Sequence, residues 1–309
     1  MTTARDGAAT VPAVQRVGGP ALFVLLWSTG FVGARFGLPY AEPFTFLAVR
    51  LLLAAALLGA LAVALGSARM PSRTQYGHAA LVGVLLHAGY LGGVFYAISL
   101  GVPAGVSAVV VSLQPVLTAV LAARLLEERL VARQWLGLVL GVVGVALVVA
   151  PGLAGSGSTD ALPVAGLVGC GVALASGTAA TLYQKQHGDG IPLVWGTAVQ
   201  YAAASLLLLA AAGATESFRI AWTGEFVAAL VWLVLVLSLG AVLLLLVLLR
   251  RGSASSVSSL LYLVPPATAV EAFLLFGERL SPPGLVGVAV AALGVALVVA
   301  PARPGPRTD

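Results

Sequence analysis

Few side chains in this sequence can do chemistry inside an apolar run, and they are of three kinds. His87 lies near the centre of the run at 77–98, with Tyr90 one turn further on the same face. Histidine titrates near neutrality, so His87 can bind a ligand or relay a proton; the competing role is a neutral, hydrogen-bonded packing residue. Glu271 is the only acid well inside a run. A carboxylate there cycles protons or meets a ligand's ammonium group, unless it sits near enough to the interface to pair with Arg279 or water. The third kind is neutral and polar or aromatic. Ser107, Val111, Gln114 and Thr118 step by four, three and four, which puts them on one helix face. Pro115 lacks an N–H and frees the Val111 carbonyl beside Gln114, and Pro265 and Pro266 free those of Leu261 and Tyr262. Gln114, Tyr262, Trp27 and Ser176 are therefore candidate ligand contacts, and Thr178, Tyr183 and Gln184 follow in the same run as Ser176. The competing role for all of them is packing, since polar groups also serve as glue between spans.

Other combinations point away from catalysis. Cys170 is the single cysteine, so no internal disulfide or cysteine-rich metal site is available. His78 falls near a helix end and His187 in a predicted loop, and neither supports a metal site at His87. The apolar runs contain no GxSxG, HExxH, phosphate-binding loop or paired acids, so neither an enzyme nor a cofactor is implied. Arg50 and Glu42 flank the start of the second run. Arg50 can pair with Glu42 or hold a carboxylate, though a cation at a helix end more often snorkels to the interface.

The elements that position these groups follow from composition. The chain has 309 residues, 60% of them hydrophobic and 9% charged, with a mean hydropathy of +1.05. A soluble domain carries about 25% charged residues, so the bilayer is the main solvent. A spanning helix needs about 20 apolar residues, and such runs occur near 20–38, 44–66, 77–98, 104–123, 134–150, 163–183, 193–213, 226–249, 254–276 and 284–300. Continuous apolar runs rather than alternating ones exclude a β-barrel. The predicted class is an all-α membrane protein of ten transmembrane helices. The pI of about 9.8 comes from scattered arginines that form no nucleic-acid-binding patch. The stretch at 1–34 resembles a signal peptide only loosely.

Shifting the sequence by 150 residues lays Pro115–Pro151 on Pro265–Pro301 with 18 identities in 37 positions, including Glu128-Arg129 on Glu278-Arg279. The duplicated Glu-Arg pairs suggest capping or gating at helix ends, and Pro115, Pro265 and Pro266 suggest hinges. Two halves of five helices insert in opposite senses. With the N-terminus inside, twelve basic residues fall on the cytoplasmic side against four outside. The expected organisation is a cytoplasmic tail at 1–19, a first repeat at 20–151, an outer linker at 152–162, a second repeat at 163–301 and a cytoplasmic tail at 302–309. Inverted repeats of this kind characterise many secondary transporters.

Trp27-Ser-Thr-Gly-Phe31, Pro43-Phe-Thr-Phe-Leu-Ala-Val-Arg50, Leu113-Gln-Pro-Val-Leu-Thr118 with Glu127-Glu-Arg-Leu130, and Leu263-Val-Pro-Pro-Ala-Thr268 with Gly277-Glu-Arg-Leu280 occur in an order that resembles the EamA-type carriers of the drug/metabolite transporter superfamily. The resemblance covers residues 20–301. It implies an exporter of amino acids, related metabolites or toxic compounds, with a cavity lined by helices 1, 3, 4, 6, 8 and 9 and with helices 5 and 10 peripheral. Its expected partners are a small-molecule substrate and membrane lipids. A multidrug efflux carrier and a non-transporting membrane scaffold are the alternatives.

Overall fold

The structure, a computed structural model, describes residues 13–66, 70–125, 131–154, 161–241, 244 and 260–299. Among these the chain is helical throughout, with one isolated β-bridge between Ala41 and Ile220. The helices are α1 (Ala13–Gly37), α2 (Pro43–Ala64), α3 (Arg73–Ser99), α4 (Ala104–Val111 continued by Gln114–Leu125) and α5 (Ala132–Ala154). There follow α6 (Val164–His187), α7 (Leu193–Thr215), α8 (Gly224–Ala241), α9 (Val264–Phe276) and α10 (Pro282–Val299). Eight of them are long and apolar enough to cross a membrane, and α9 and α10 are shorter apolar helices. Large side chains such as Leu206, Leu274 and Val168 stand exposed on the outer surface, as expected of a protein solvated by lipid rather than water.

Several helices depart from the expected boundaries. α1 begins at Ala13 and runs through Pro20, and α5 continues past Pro151 to Ala154. Membrane helices tolerate proline because neighbours re-satisfy the freed carbonyls. Pro115 and the Pro265-Pro266 pair have the stronger effect that their missing N–H groups predict. α4 breaks at Ser112-Leu113 and resumes at Gln114, while a 3-10 turn at Leu261–Leu263 precedes α9, whose first turn holds both prolines. α3 and α8 each contain a π-helical stretch, Val84–Leu91 and Trp232–Ala241. No periodicity in the sequence marks these stretches.

At one end of the bundle, here face A, the start of α2 meets the end of α7. Glu216 accepts bonds from the Phe44 and Thr45 amides, both at 2.8 Å, and from the Thr45 hydroxyl at 2.7 Å. A carboxylate on a helix N-terminus satisfies orphan donors and complements the dipole, worth about 1–2 kcal/mol. Glu42 reciprocates by accepting from the Ser217 and Arg219 amides at 2.9 Å each. Between those two amides lies Phe218 with φ of 55°, a left-handed conformation disfavoured for a bulky residue. The Glu42 bonds on either side hold it there. Further into the bundle, the Ser205 hydroxyl donates to the Ala48 carbonyl at 3.0 Å and ties α7 to α2 along their length.

α5 and α10 form a separate antiparallel pair. A Cβ on Gly137 would fall 2.5 Å from the Gly294 carbonyl oxygen, and one on Gly287 would fall 2.6 Å from that of Gly144. Only glycine lets two backbones approach this closely. The same logic places α3 against α6, where a Cβ on Gly93 would meet the Gly169 carbonyl at 2.5 Å.

Candidate functional site

Three polar clusters interrupt the apolar interior. The first joins α9 to α1 and α4 at face A. The Ser28 hydroxyl donates to Glu271 at 2.6 Å, and Arg35 pairs with Glu278 at 3.4 Å. Gly277, at φ of 67°, ends α9 in a left-handed turn and directs Glu278 back across the bundle. There its carboxylate faces the amides of Ala104 and Gly105 at the start of α4. Burial pushes the Glu278 carboxyl above its ordinary value, and Arg35 and those amides oppose the shift. Beside it, Pro103, Gly105, Ala269, Ala272, Glu278, Arg279 and Leu280 line a cavity of about 200 Å³.

This arrangement corrects two expectations. Glu271 reaches α1 rather than Arg279, which is exposed, because the side chain leaves α9 on the face packed against Ser28. Glu278 serves α4 and α1 rather than the helix that follows it. Its repeat counterpart, Glu128-Arg129, lies outside the described residues.

The second cluster joins α4, α6 and α3. The Gln114 amide donates to the Gly177 carbonyl at 3.0 Å and to the Thr181 hydroxyl at 2.8 Å. Gly177 leaves room for both Gln114 and Tyr90, whose atoms would lie 2.8–3.0 Å from a Cβ placed there. Ser176, the neighbouring residue, packs on Gly89, with its hydroxyl 2.5 Å from the position of a Cβ at that glycine. Tyr90, Gln114 and Ser176 are thus brought together. Thr178 is buried and turns its hydroxyl back to the Leu174 carbonyl at 2.7 Å, a bond within its own helix. Trp27 sits apart on α1, tilted against Phe23 with ring centroids 5.2 Å apart. The backbone of Tyr262 lies in the 3-10 turn before α9, and its side chain is outside the described residues.

The third cluster runs from the opposite end of the bundle, face B, towards the interior. His78 of α3 and His187 of α6 stack with centroids 4.8 Å apart, and Tyr183 stacks on His187 at 4.3 Å. The Tyr183 hydroxyl lies 2.7 Å from His78 Nδ1. These rings adjoin a cavity of about 60 Å³ whose lining includes His78, Gln184, His187 and Gln200. That volume suits water rather than a metabolite. His187 ends α6 instead of lying in a loop, which is why it meets a residue far earlier in the chain. Among the described residues no three potential metal ligands converge.

Beyond Gln200 the polar line continues. His87 Nε2 lies 3.3 Å from Gln200 Oε1, and its ring stands edge-on to Tyr201 with centroids 4.6 Å apart. Tyr201 faces Arg50 and Ser238. Arg50 does not snorkel, nor does it meet Glu42, which is committed to the 217–219 backbone. It is 3% exposed. It donates to Ser238 Oγ at 3.4 Å and lies 5.9 Å from the Phe95 ring centroid. Its Nε is buried without a hydrogen-bond partner. Four helices converge here: α2 carries Arg50, α3 His87 and Phe95, α7 Tyr201, and α8 Ser238. His87 and Ser238 both lie in the π-helical stretches, and Ser238 donates to the Leu233 carbonyl five residues back. Such stretches often mark functional sites.

Sequence reasoning did not find Ser28, Gln200, Tyr201 or Ser238. Each acquires its meaning from a partner on another helix. The only available signal was a polar residue at midplane depth, and Cys170, 3.8 Å from Ser107 in the core, is such a residue without a ligand role.

Comparison with known proteins places this architecture. A solved structure, described simply as "crystal structure of protein", superposes with a TM-score of 0.63 at 21% identity, covering 93% of this chain and 96% of that one. It establishes likeness of fold alone. The "uncharacterized transporter YvbV" of Bacillus subtilis is 31% identical over 284 residues, 90% of this chain and 89% of the relative. A "probable amino-acid metabolite efflux pump" of Salmonella typhimurium is 25% identical over 284 residues, 89% and 91% of the two chains. The EamA-like transporter family matches residues 21–150 and again 164–300, the two stretches that carry the Gln-Pro and Pro-Pro breaks, and the chain is a member of that family, a multi-pass membrane transporter.

Proposed function

We propose that this transporter is a secondary carrier that exports small metabolites, amino acids or related compounds, across the cytoplasmic membrane by alternating access. In this reading ten helices form two inverted halves, both termini are cytoplasmic, face A is outside and face B inside. The observation that carries it is the twofold family match joined to the polar contacts between the halves. Ser28–Glu271 and Arg35–Glu278 tie α1 and α4 to α9 at face A, while Gln114 ties α4 to α6 deeper in the bundle. The α5–α10 register supports the inversion, since Gly137 meets Gly294 and Gly144 meets Gly287, which exchange under the 150-residue offset. The amino-acid assignment draws on the name of the Salmonella relative.

Alternating access exposes a central site to each side in turn. In this carrier the substrate site lies among Gln114, Tyr90, Ser176, Trp27 and Tyr262, with His87 at its border. Glu271 and His87 are the groups placed to couple protons. Releasing the Ser28 hydroxyl from Glu271 on opening face A changes what that carboxylate meets, and that is the condition for exchanging a proton. The test is efflux of an amino-acid pool from proteoliposomes, read by mass spectrometry, with and without an imposed pH gradient. Saturable flux is expected; its absence removes the carrier reading, and flux that ignores the gradient removes proton coupling.

A further inference from the structure

Arg50 poses a question that the carrier's architecture leaves unanswered. A guanidinium has five N–H donors and is charged at every relevant pH. Arg50 is 3% exposed and is held two turns into α2, about 10 Å from the helix start at 1.5 Å per residue. Its single described hydrogen bond is long, 3.4 Å to Ser238, and its Nε has no acceptor. Among the described residues no carboxylate pairs with it. Glu42 and Glu216 are committed to backbone amides, Glu271 to Ser28 and Glu278 to Arg35. A buried charge inside a bilayer is retained where a partner compensates it. The protein supplies aromatic faces and hydroxyls around Arg50, namely Phe95, Tyr201 and Ser238, but no anion among the described residues.

We infer that Arg50 is the anion-binding point of the carrier and that its substrates bear a carboxylate, which the guanidinium grips through its free edge while Tyr201 and Ser238 flank it. This rests on the carrier reading above and narrows its substrate class. A planar fork with free donors matches a carboxylate in two-point geometry, which an ammonium or a neutral amide does not offer. The route to it is already polar. The cavity at face B ends on Gln200, Gln200 bonds His87, and His87 packs on Tyr201 beside Arg50. Gly83 allows α3 to lie directly against the Gln200 backbone, so a shift of α3 against α7 opens that line. A carboxylate entering from face B therefore meets hydrogen-bonding groups along its whole path.

The test compares acids with their amides on the purified full-length protein. Thermal unfolding is followed with acetate, benzoate and L-leucine against acetamide, benzamide and L-leucinamide, with sodium chloride matching ionic strength. The expected result is stabilisation by the carboxylates at concentrations at least tenfold below those of the amides. Arg50→Gln, checked for monodispersity, should abolish this preference, and Arg50→Lys should restore it only in part because a point charge lacks the fork. Equal effects of acid and amide, no carboxylate effect, or a preference that survives Arg50→Gln would overturn the inference. The acid–amide comparison on the unmodified protein stands even if a variant fails to fold. Efflux from proteoliposomes separates the two readings: flux without acid preference sinks the Arg50 assignment and spares the carrier, whereas carboxylate binding without flux does the reverse.

Discussion

Replacing Gln114 by leucine separates a substrate contact from a packing tether. The amide donates 3.0 Å to the Gly177 carbonyl and 2.8 Å to the Thr181 hydroxyl, both on α6. Interhelical hydrogen bonds in membranes average about 0.6 kcal/mol, so losing both costs about 1 kcal/mol. The cost stays low because Thr181 also donates to the Gly177 carbonyl at 2.9 Å, and neither acceptor is stranded. Leucine fills nearly the same volume, so no cavity term adds to it. If the amide served only as a tether between helices, a bias of about 1 kcal/mol would shift a two-state equilibrium roughly fivefold and flux by no more. A hydrogen bond to a polar or charged substrate is worth about 1.5–3 kcal/mol, which is roughly 10- to 100-fold in flux. We expect Gln114→Leu to lower efflux from proteoliposomes more than tenfold while unfolding free energy in mixed micelles falls by about 1 kcal/mol. A flux loss of about fivefold or less that tracks the stability loss would refute the substrate role.

Further outcomes follow from the same geometry. Glu216→Gln removes the charge that caps α2 and should cost about 1–2 kcal/mol, seen as a lower thermal midpoint. An unchanged midpoint would mean that water replaces the cap. Gly144→Leu drives a side chain into Ala291 of α10 and should cost about 1–3 kcal/mol, whereas Gly59→Leu, with nothing within 4 Å, should be nearly neutral. Similar losses at both positions would deny the close α5–α10 approach. Burial raises the Glu278 carboxyl above 4.5, so the folded protein holds that proton more tightly than the unfolded chain. Stability from this group is present below 4.5 and declines as pH rises through the window up to the raised value. Glu278→Gln should flatten that part of the stability–pH curve; an unaltered slope would place the titration elsewhere.

What could be read without the structure was everything that follows from one solvent and one repeat. A chain with 9% charge must satisfy its backbone inside helices, so spans and fold class were legible from hydropathy. The breaks at Ser112-Leu113 and before Val264 were legible too, because proline's missing N–H acts locally. The family could be recognised because its motifs are also local. The partners of the polar residues were not. Glu271 could be singled out for its depth, yet nothing near it in sequence names Ser28, 243 positions away, as its donor. His78 and His187 were isolated residues until α3 and α6 brought their rings to 4.8 Å. Arg50 shows the difference most sharply. Its position near a helix start predicted snorkelling, because a long flexible cation near an interface normally finds water. Tertiary packing decided otherwise, since α3, α7 and α8 close over it and Glu216 and Glu42 fix the start of α2. Local sequence sets which groups a helix carries, and only the neighbouring helices decide whether a charge meets water, a protein carboxylate or neither.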